Sequence, residues 1–385
     1  MEARLKHVVV SGINIDSGGA LSVLRDCLSA TREFTATHRF TALVHDARVL
    51  EGLPTRIEHR AFPRSKRSWL LRLWYEYVAF RKLSRELEAT LWLSLHDVTP
   101  TVSAEYRAVY CHNPAPFHRL RVSDLWLAPK LVAFRLLYPF VYAHDIQAND
   151  AVIVQQDWMR SEFVRRYGVR NVVVARPHVP NDPLPSTPTV AGEFIYPCFP
   201  RVFKNVETAC RAFASLEDTG ARLILTLSGK ENAYARRLHR RFSRIRSIEF
   251  AGRKSREEVS ELYGRACALV FPSTLETWGL PLSEFRRTGK PVFAADLPYA
   301  HESLAGYDQA SFFDPTSHEA LAHELRSFLE TRDFTRRRTV VEPAEPFAAD
   351  WGELWRYLPE GLPAERRETA SGARPTVSAA GGGPR

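Results

Sequence analysis

The sequence predicts an α/β protein built from two domains that face each other across a cleft. The length of 385 residues exceeds one ordinary hydrophobic core and suits two domains of typical size. Short apolar runs alternate with helical patterns along the chain, which is typical of parallel sheets flanked by helices. A proline-rich break at residues 180–191 separates two such series. We therefore expect a first domain over residues 1–180, a linker over 181–191 and a second domain over 192–345.

The predicted elements of the first domain begin near its N-terminal end. The apolar run His7–Ser11 is followed by the loop INIDSGGA and by a helical pattern over Leu21–Leu28, which is the start of a βα unit. A further helix is predicted at Ser161–Tyr167. Further strands are predicted at Phe40–Val44, Thr90–Ser94, Ala108–Cys111, Ala151–Gln155 and Asn171–Ala175.

The second domain repeats this alternation. Its predicted strands are Phe194–Tyr196, Leu223–Ser228, Ile248–Ala251, Ala268–Pro272 and Val292–Ala294, and its predicted helices are Val206–Leu216, Ala233–Phe242 and Glu257–Ala266. Residues 346–360 then include an amphipathic helix, Ala349–Leu358, which we expect to pack back on the first domain. The tail over 361–385 is rich in Gly, Ala, Pro and Ser, a composition typical of disorder.

Charge and cysteine usage narrow the class of protein. The net charge of +9 indicates an anionic partner, such as nucleic acid, an acidic membrane surface or a phosphorylated substrate. The five cysteines are scattered without a CxxC pair, which favours a reducing compartment. The first residues run into a strand without the apolar segment of a signal peptide, and no apolar run is long enough to predict a membrane-spanning helix. We expect a cytoplasmic protein.

The stretch LETWGLPLSE places two glutamates around a predicted turn and helix start. Glu276 lies in the loop after strand Ala268–Pro272, and Glu284 lies about one turn into a helix that begins at Pro281 and ends before Gly289. A glycine turn followed by a helix start offers backbone N–H groups to an anion, so two carboxylates could flank a bound diphosphate there. The spacing alone is equally typical of a capped helix with two solvated glutamates.

The residues around this stretch carry a family resemblance. The segment Phe250–Pro315 contains, in order, the patterns PS-x-x-E-x-x-G-L-P, a second Glu in a Glu-x7-Glu motif, T-G-K-P-V, D-x-P-x-x-x-E and F-F-D-P. It resembles the donor-binding domain of retaining GT-B glycosyltransferases, and within them the GT4 family. The resemblance implies the GT-B fold, in which two Rossmann-like α/β/α domains face each other across the cleft.

The resemblance also implies roles for individual residues in this segment. Glu276 would contact the donor sugar and Glu284 the nucleotide ribose, while backbone amides around Gly279 and Leu280 would hold the diphosphate. Trp278 stands where the family usually has Phe, in the pair Thr-Trp in place of Gly-Phe. We expect Trp278 at the donor site, where it would narrow the sugar pocket. The identity of the donor sugar stays open for that reason.

Further donor-site residues are implied upstream of this segment. Within YPCFPRVFKNVETACRAF, Arg201 and Lys204 match the Arg and Lys with which the family stabilises the departing diphosphate in place of a metal ion. Their spacing is shorter than usual, and an exposed basic loop is the alternative. Ser228 and Gly229 end a predicted strand and could approach the nucleotide base, although glycine is common at strand ends. Glu302 matches a later Glu of the family, and a helix-capping role explains it equally well.

In the first domain, Gly19 and two histidines are the candidate residues. Gly19 lies between the first strand and its helix, where a GT-B cleft would bring it to the donor phosphates. His112, followed by Asn113-Pro114, fits the strand-end histidine that the family often places near the reacting centre. His96 is the alternative candidate. A purely structural role at the end of a strand explains His96 equally well.

Segments 62–83 and 118–142 interleave basic and aromatic residues. Such a composition is typical of an element that docks on an anionic membrane surface, which would bring a peripheral enzyme to a lipid-linked acceptor at the inner face of the cytoplasmic membrane. Ordinary helices with aromatic cores and solvated charges are the alternative interpretation.

The resemblance, taken with these residues, predicts a retaining, metal-independent glycosyltransferase without a cofactor. Its donor would be a nucleoside-diphosphate sugar, and its acceptor a saccharide or lipid-linked saccharide in bacterial surface polysaccharide synthesis, such as O-antigen, capsule or lipopolysaccharide. The absence of a D-x-D motif agrees with cationic side chains in place of a metal. The alternatives are a non-catalytic GT-B relative and a basic nucleic-acid-binding protein, and the lack of a nucleic-acid motif disfavours the second. The base, the sugar, the acceptor and the linkage stay open.

Overall fold

The computed structural model describes residues 6–16, 18–53, 57–179, 185 and 187–360. It contains two parallel sheets accompanied by helices, and this confirms the predicted α/β class. Ser17, part of the predicted linker (181–184 and 186) and the tail over 361–385 lie outside the described residues.

The strands of both sheets are short. Those of the first half are β1 (Lys6–Gly12), β2 (His38–Val44), β3 (Glu58–Ala61), β4 (Leu91–Ser94), β5 (Tyr106–Cys111), β6 (Ala151–Val154) and β7 (Val172–Ala175). Those of the second half are β8 (Glu193–Tyr196), β9 (Arg222–Leu225), β10 (Ile248–Phe250), β11 (Ala268–Phe271), β12 (Val292–Ala295) and β13 (Ala310–Phe313), and β14 (Phe347–Ala348) follows near the end.

The helices lie between these strands. The first half contains α1 (Gly18–Ala30), α2 (Trp69–Trp74), α3 (Phe80–Glu86), α4 (Asp124–Leu127), α5 (Pro129–Ala143) and α6 (Asp157–Tyr167). The second half contains α7 (Val206–Ala214), α8 (Ala233–Phe242), α9 (Arg256–Arg265), α10 (Leu280–Phe285), α11 (Pro298–Ser303) and α12 (His318–Thr331), and α13 (Trp351–Glu360) is the last helix described. Their ends follow local signals: Ser255 and Glu258 form a reciprocal capping box at α9, and α6 stops at Gly168 in the left-handed region.

The strand order places one crevice in each domain. The first sheet has the order β3-β2-β1-β4-β5-β6-β7-β14 and the second β10-β9-β8-β11-β12-β13, with every pair parallel. In the first sheet, the direction in which successive strands are added reverses between β1 and β4. In the second sheet it reverses between β8 and β11. Loops that leave the carboxyl ends of such neighbouring strands diverge and leave room for a ligand.

Residues 347–358 complete the first domain although they follow the second in the chain. Strand β14 pairs with β7 at the edge of the first sheet. The Trp355 indole donates a hydrogen bond to the Cys27 carbonyl oxygen at 3.1 Å, and the Trp351 ring stacks on Tyr110. Both tryptophans belong to the same apolar cluster as α1 and the strands of this sheet.

The two domains are also joined by hydrogen bonds at the start of α6. Gln156 donates from Nε2 to the Tyr299 carbonyl oxygen at 3.0 Å and to Ser303 Oγ at 2.9 Å. The Asp157 backbone N–H donates to Glu302 Oε2 at 3.1 Å, so Glu302 of the second domain caps a helix of the first. The other oxygen, Oε1, is buried and accepts no hydrogen bond from the described residues. Burial raises the pKa of Glu302 to about 7, although the Asp157 N–H opposes this shift.

Candidate active site

Lys204 and Glu276 form an ion pair at the crevice of the second sheet. Lys204 lies in the loop after β8 and Glu276 in the loop after β11, the two strands between which the winding reverses. Lys204 Nζ lies 2.5 Å from Glu276 Oε1, and both side chains are mostly buried. A buried carboxylate and ammonium at this distance hold each other in place.

Hydrogen bonds to the backbone fix the loop that carries Lys204. Asn205 adopts a left-handed conformation and donates from Nδ2 to the Pro272 carbonyl oxygen at 3.1 Å and the Pro315 carbonyl oxygen at 2.8 Å. The Tyr196 hydroxyl donates to the Lys204 carbonyl oxygen, and the Thr274 N–H donates to the Phe203 carbonyl oxygen, both at 2.7 Å. The loops after β8 and β11 are therefore tied to each other, which positions their charged side chains.

Arg201 supplies a second cation in the same loop. Its guanidinium carbon lies 5.8 Å from the Phe203 ring centroid. Part of the Arg201 side chain is exposed, but desolvation by the surrounding protein lowers its pKa, and the nearby Glu276 carboxylate opposes this shift. The structure thus brings three predicted catalytic residues, Arg201, Lys204 and Glu276, into one charged group.

The turn before α10 requires glycine. Gly279 has φ of +83°, and an added Cβ would lie 3.3 Å from Leu282 Cδ1 and 3.4 Å from Phe271 Cε1. An added Cβ on Gly19, in the first domain, would lie 3.7 Å from Leu280 Cδ1. The predicted phosphate-contacting glycine of the first domain therefore faces the predicted phosphate turn of the second across the cleft.

Glu284 and Trp278 are held by side chains near this turn. The Tyr263 hydroxyl donates to Glu284 Oε2 at 3.0 Å, which leaves the half-buried carboxylate in one orientation. The Trp278 indole is buried and donates to Ser283 Oγ at 2.8 Å, and the Arg176 guanidinium lies 5.6 Å from its ring centroid. Ser303 Oγ donates a short hydrogen bond to the Trp278 carbonyl oxygen. That Trp278 narrows the sugar pocket stays a prediction.

Ser228 and Gly229 lie in a tight turn after β9. The Ser228 N–H donates to Glu231 Oε1 at 2.5 Å. Gly229 has φ of +84°, and an added Cβ would lie only 2.4 Å from His239 Cβ, so packing against α8 also demands glycine here. The predicted contact of both residues with the nucleotide base stays a prediction.

The two candidate histidines of the first domain differ in environment. His96 is buried, with Nε2 at 3.2 Å from Ser11 Oγ and 3.1 Å from Glu76 Oε1, and Arg72 donates to its carbonyl oxygen. Burial lowers the pKa of His96 well below its usual value, and Arg72 adds to this shift. His112 is half-buried at the carboxyl end of β5. His96 is thus committed to a buried polar cluster, and His112 is the histidine with an accessible side.

Asp97 positions the His112 loop and was not predicted from the sequence. It adopts a left-handed conformation and accepts hydrogen bonds from the His112 N–H at 2.7 Å, the Asn113 N–H at 3.1 Å and the Tyr142 hydroxyl at 2.9 Å. An aspartate directly after a strand-end histidine, in LSLHDVTP, was the available sequence signal.

The described residues contain neither a cluster of candidate metal ligands nor a helix suited to cross a membrane. No group of three or more His, Cys, Asp or Glu side chains in residues 6–360, gaps excepted, is arranged to hold a metal ion. None of the helices in that part of the chain combines the length and the apolar character that a membrane crossing needs.

The chain is similar in sequence and in fold to known glycosyltransferases. Residues 194–344 match the sequence model of the family described as glycosyl transferases group 1. The chain is 25% identical over 301 residues to O-antigen chain mannosyltransferase B of Escherichia coli, which covers 72% of each protein. Its fold is similar to sucrose-phosphate synthase from Thermosynechococcus elongatus (TM-score 0.61, 14% identity, 85% of this chain and 90% of that one). It is also similar to HepE of Anabaena in complex with UDP and glucose (TM-score 0.59, 15% identity, 86% and 91%).

Proposed function

We propose that the chain is a retaining glycosyltransferase that uses a nucleoside-diphosphate sugar. The proposal is supported by its GT-B fold and by the match of residues 194–344 to the glycosyl transferases group 1 family. The observation that carries the proposal is the Lys204–Glu276 ion pair, with Arg201 beside it, at the crevice of the second sheet. A GT-B fold places this crevice opposite the first domain, where an acceptor can approach.

The proposed reaction exchanges one bond at the anomeric carbon of the donor. The bond from this carbon to the β-phosphate oxygen breaks, and the diphosphate keeps the electron pair. The acceptor oxygen forms its bond on the same face, and its proton passes to a departing phosphate oxygen. Lys204 and Arg201 would stabilise the negative charge that grows on the diphosphate, which is the role that a metal ion plays elsewhere. We therefore propose that transfer is metal-independent.

The other predicted residues take positions around this reaction. Glu276 would position the donor sugar, and Glu284, held by Tyr263, would bind the ribose. Gly279 and Leu280 of one domain and Gly19 of the other would approach the diphosphate from both sides, which their proximity across the cleft supports. His112 would orient the acceptor hydroxyl.

The acceptor that we propose is a saccharide of a bacterial surface polysaccharide. The support is the relative at 25% identity, an O-antigen chain mannosyltransferase, which covers 72% of this chain.

The donor site can be tested by ligand-induced stabilisation. In a thermal-shift screen with UDP, GDP, dTDP and ADP, we expect one nucleotide at about 100 times its Kd to stabilise the protein by about 2.7 kcal/mol, because a ligand that binds only the native state shifts unfolding by mass action. The same nucleotide should shift Tm less in Lys204→Ala. The absence of stabilisation by all four nucleotides would contradict the donor site.

We also propose that α2, α4 and α5 dock on an anionic membrane. Exposed apolar side chains cluster on these elements, among them Leu70 (78%), Trp126 (71%) and Phe140 (75%). The end of α5 meets the residues after α2, since the Tyr77 and His144 ring centroids lie 4.7 Å apart, so both segments share one side of the domain. Arg72 of the first segment is buried against His96 and does not contribute to this surface.

Vesicle co-sedimentation tests this docking surface. We expect the protein to bind vesicles that contain phosphatidylglycerol more strongly than neutral vesicles, since basic residues accompany the apolar ones. The double variant Leu137→Glu/Phe140→Glu should lose this binding. Val340→Glu is the matched control, because Val340 is as exposed (77%) but lies in the second domain. Equal binding by the double variant and the control would exclude docking through α5.

A further inference from the structure

The donor loop, residues 272–279 between β11 and α10, carries Glu276 and the turn that we assign to the diphosphate. The loop belongs to the second domain, but two side chains of the first domain contribute to holding it. One is Gln156, which lies between β6 and α6, and the other is Arg176, which directly follows β7. Strands β6 and β7 are parallel neighbours, so both residues lie at the same edge of the first sheet.

The Gln156 carboxamide is buried and uses both of its ends. The Trp158 indole donates to Gln156 Oε1 at 2.9 Å, which orients the amide so that its nitrogen faces the second domain. Gln156 Nε2 then donates to the Tyr299 carbonyl oxygen and to Ser303 Oγ, both of α11. A first-domain side chain without charge is therefore fixed to a helix of the second domain.

The two α11 residues that Gln156 contacts are each bonded to the donor loop. Ser303 Oγ donates to the Trp278 carbonyl oxygen, and the Tyr299 hydroxyl donates to the Ser273 carbonyl oxygen at 2.6 Å. Both side chains are buried. Glu276 lies between Ser273 and Trp278 in the chain, so these hydrogen bonds hold the loop on both sides of the carboxylate.

Arg176 contacts the same loop through the Trp278 ring. Its backbone N–H donates to the Ala348 carbonyl oxygen at 3.2 Å, which fixes it to the edge of the first sheet. Its guanidinium carbon lies 4.9 Å from the Phe347 ring centroid and 5.6 Å from that of Trp278. Arg176 Nε and Nη2 are buried and have no hydrogen-bond partner among the described residues. Contact of a cation with these two rings therefore joins the first sheet to the donor loop.

We propose that Gln156 and Arg176 are positioning residues of the first domain that hold the donor loop in the geometry in which it binds the donor. The inference rests on the proposed function, which assigns this loop to the donor. Gln156 acts through Ser303 and Tyr299, and Arg176 acts through the Trp278 ring, so neither side chain touches the donor itself. A displacement of about 1 Å at a reacting group can cost about 100-fold in rate, so the loss of these contacts should reduce transfer.

Hydrogen exchange of the full-length protein, followed by mass spectrometry on a peptide that spans the donor loop, tests this role without any ligand. We expect the loop amides to exchange at least roughly tenfold faster in Gln156→Leu than in the wild type, because the loop opens more often once its buried hydrogen bonds are lost. Gln155→Leu is the matched control, since the neighbouring Gln155 is also buried but donates to the Tyr110 hydroxyl inside the first domain. It should leave exchange in the loop unchanged.

Arg176→Met removes the cation and keeps an unbranched apolar side chain, and we expect it to accelerate exchange in the same peptide. Its control is Arg25→Met, because Arg25 is half-buried but donates to carbonyl oxygens of the first domain, those of Val49 and Glu51. Wild-type exchange in Gln156→Leu or in Arg176→Met would overturn the role of that residue. Equal acceleration in a variant and its control would overturn it too, since general destabilisation would then be the cause.

Transfer kinetics give the functional half of the test. With the sugar of whichever nucleotide among UDP, GDP, dTDP and ADP stabilises the wild type, we expect kcat/KM to fall at least roughly tenfold in Gln156→Leu and to stay at the wild-type value in Gln155→Leu. Faster loop exchange in Gln156→Leu, with no nucleotide stabilising the wild type, would contradict the proposed function and leave the first-domain hold on the loop in place. A wild type that binds a nucleotide, with kcat/KM unchanged in Gln156→Leu, would overturn the positioning role alone.

Discussion

Replacing Lys204 with alanine is expected to lower the rate of sugar transfer by about 10²–10³-fold, because one preorganised cation is removed from the position where charge develops on the diphosphate. In the wild type Lys204 Nζ lies 2.5 Å from Glu276 Oε1, so the same change leaves the Glu276 carboxylate without its cation. Steady-state kinetics with the stabilising nucleotide sugar would measure the effect as a fall in kcat.

Glu276→Gln should also lower kcat while the donor still binds, because the amide keeps the shape of the side chain and loses its charge.

Lys254→Ala is the control for this experiment. Lys254 is paired with Glu258, 3.1 Å away, on the surface of the second domain, so its removal changes net charge equally without touching the crevice. Wild-type transfer rates in both Lys204→Ala and Glu276→Gln would show that the reaction does not use this ion pair.

Replacing Glu302 with glutamine is expected to remove a pH-dependent part of the stability. The pKa of Glu302 is raised to about 7 in the folded protein, above the ordinary value of 4.5, so the native state holds this proton more tightly than the unfolded state does. The contribution to stability is therefore complete below about pH 4.5 and is lost as the pH rises to about 7, by about 3 kcal/mol. Glu302→Gln stays neutral throughout, so urea unfolding should show its stability rising relative to the wild type across this window.

Glu330→Gln, at an exposed position of α12, controls for the general effect of removing a carboxylate. A constant difference in unfolding free energy between Glu302→Gln and the wild type from pH 4.5 to 7.5 would contradict the assigned protonation of Glu302.

The strands predicted from the sequence are ones with buried apolar runs, although β13 (Ala310–Phe313), which is largely buried too, was not predicted. All eleven predicted strands are present, with ends shifted by up to three residues. Strand β3 was missed because its four residues, Glu-His-Arg-Ala, are all exposed and show no alternation, so only pairing with β2 defines it. Strand β14 has two residues and depends on β7 in the same way. Helix α12 was not predicted, although its apolar stripe of Leu321, Leu325 and Phe328 is a pattern that indicates a helix.

The candidate site was predicted as a set of residues but not as an arrangement. Sequence patterns identified Lys204 and Glu276 separately, and only the strand order, with β8 next to β11, explains why they meet. The burial of His96 against Arg72 and Glu76 could not be predicted either, because α2 approaches β4 only in the folded chain.

The position of α13 sets an order of assembly during synthesis. Residues 193–334 supply the whole core of the second domain in one continuous stretch, whereas the core of the first domain also needs Trp351, Leu354, Trp355 and Leu358. The ribosome must therefore translate the entire second domain before the first can close its apolar cluster. The second domain can fold while the first still waits for its last helix, and a fragment of residues 6–179 alone would leave that cluster open to water.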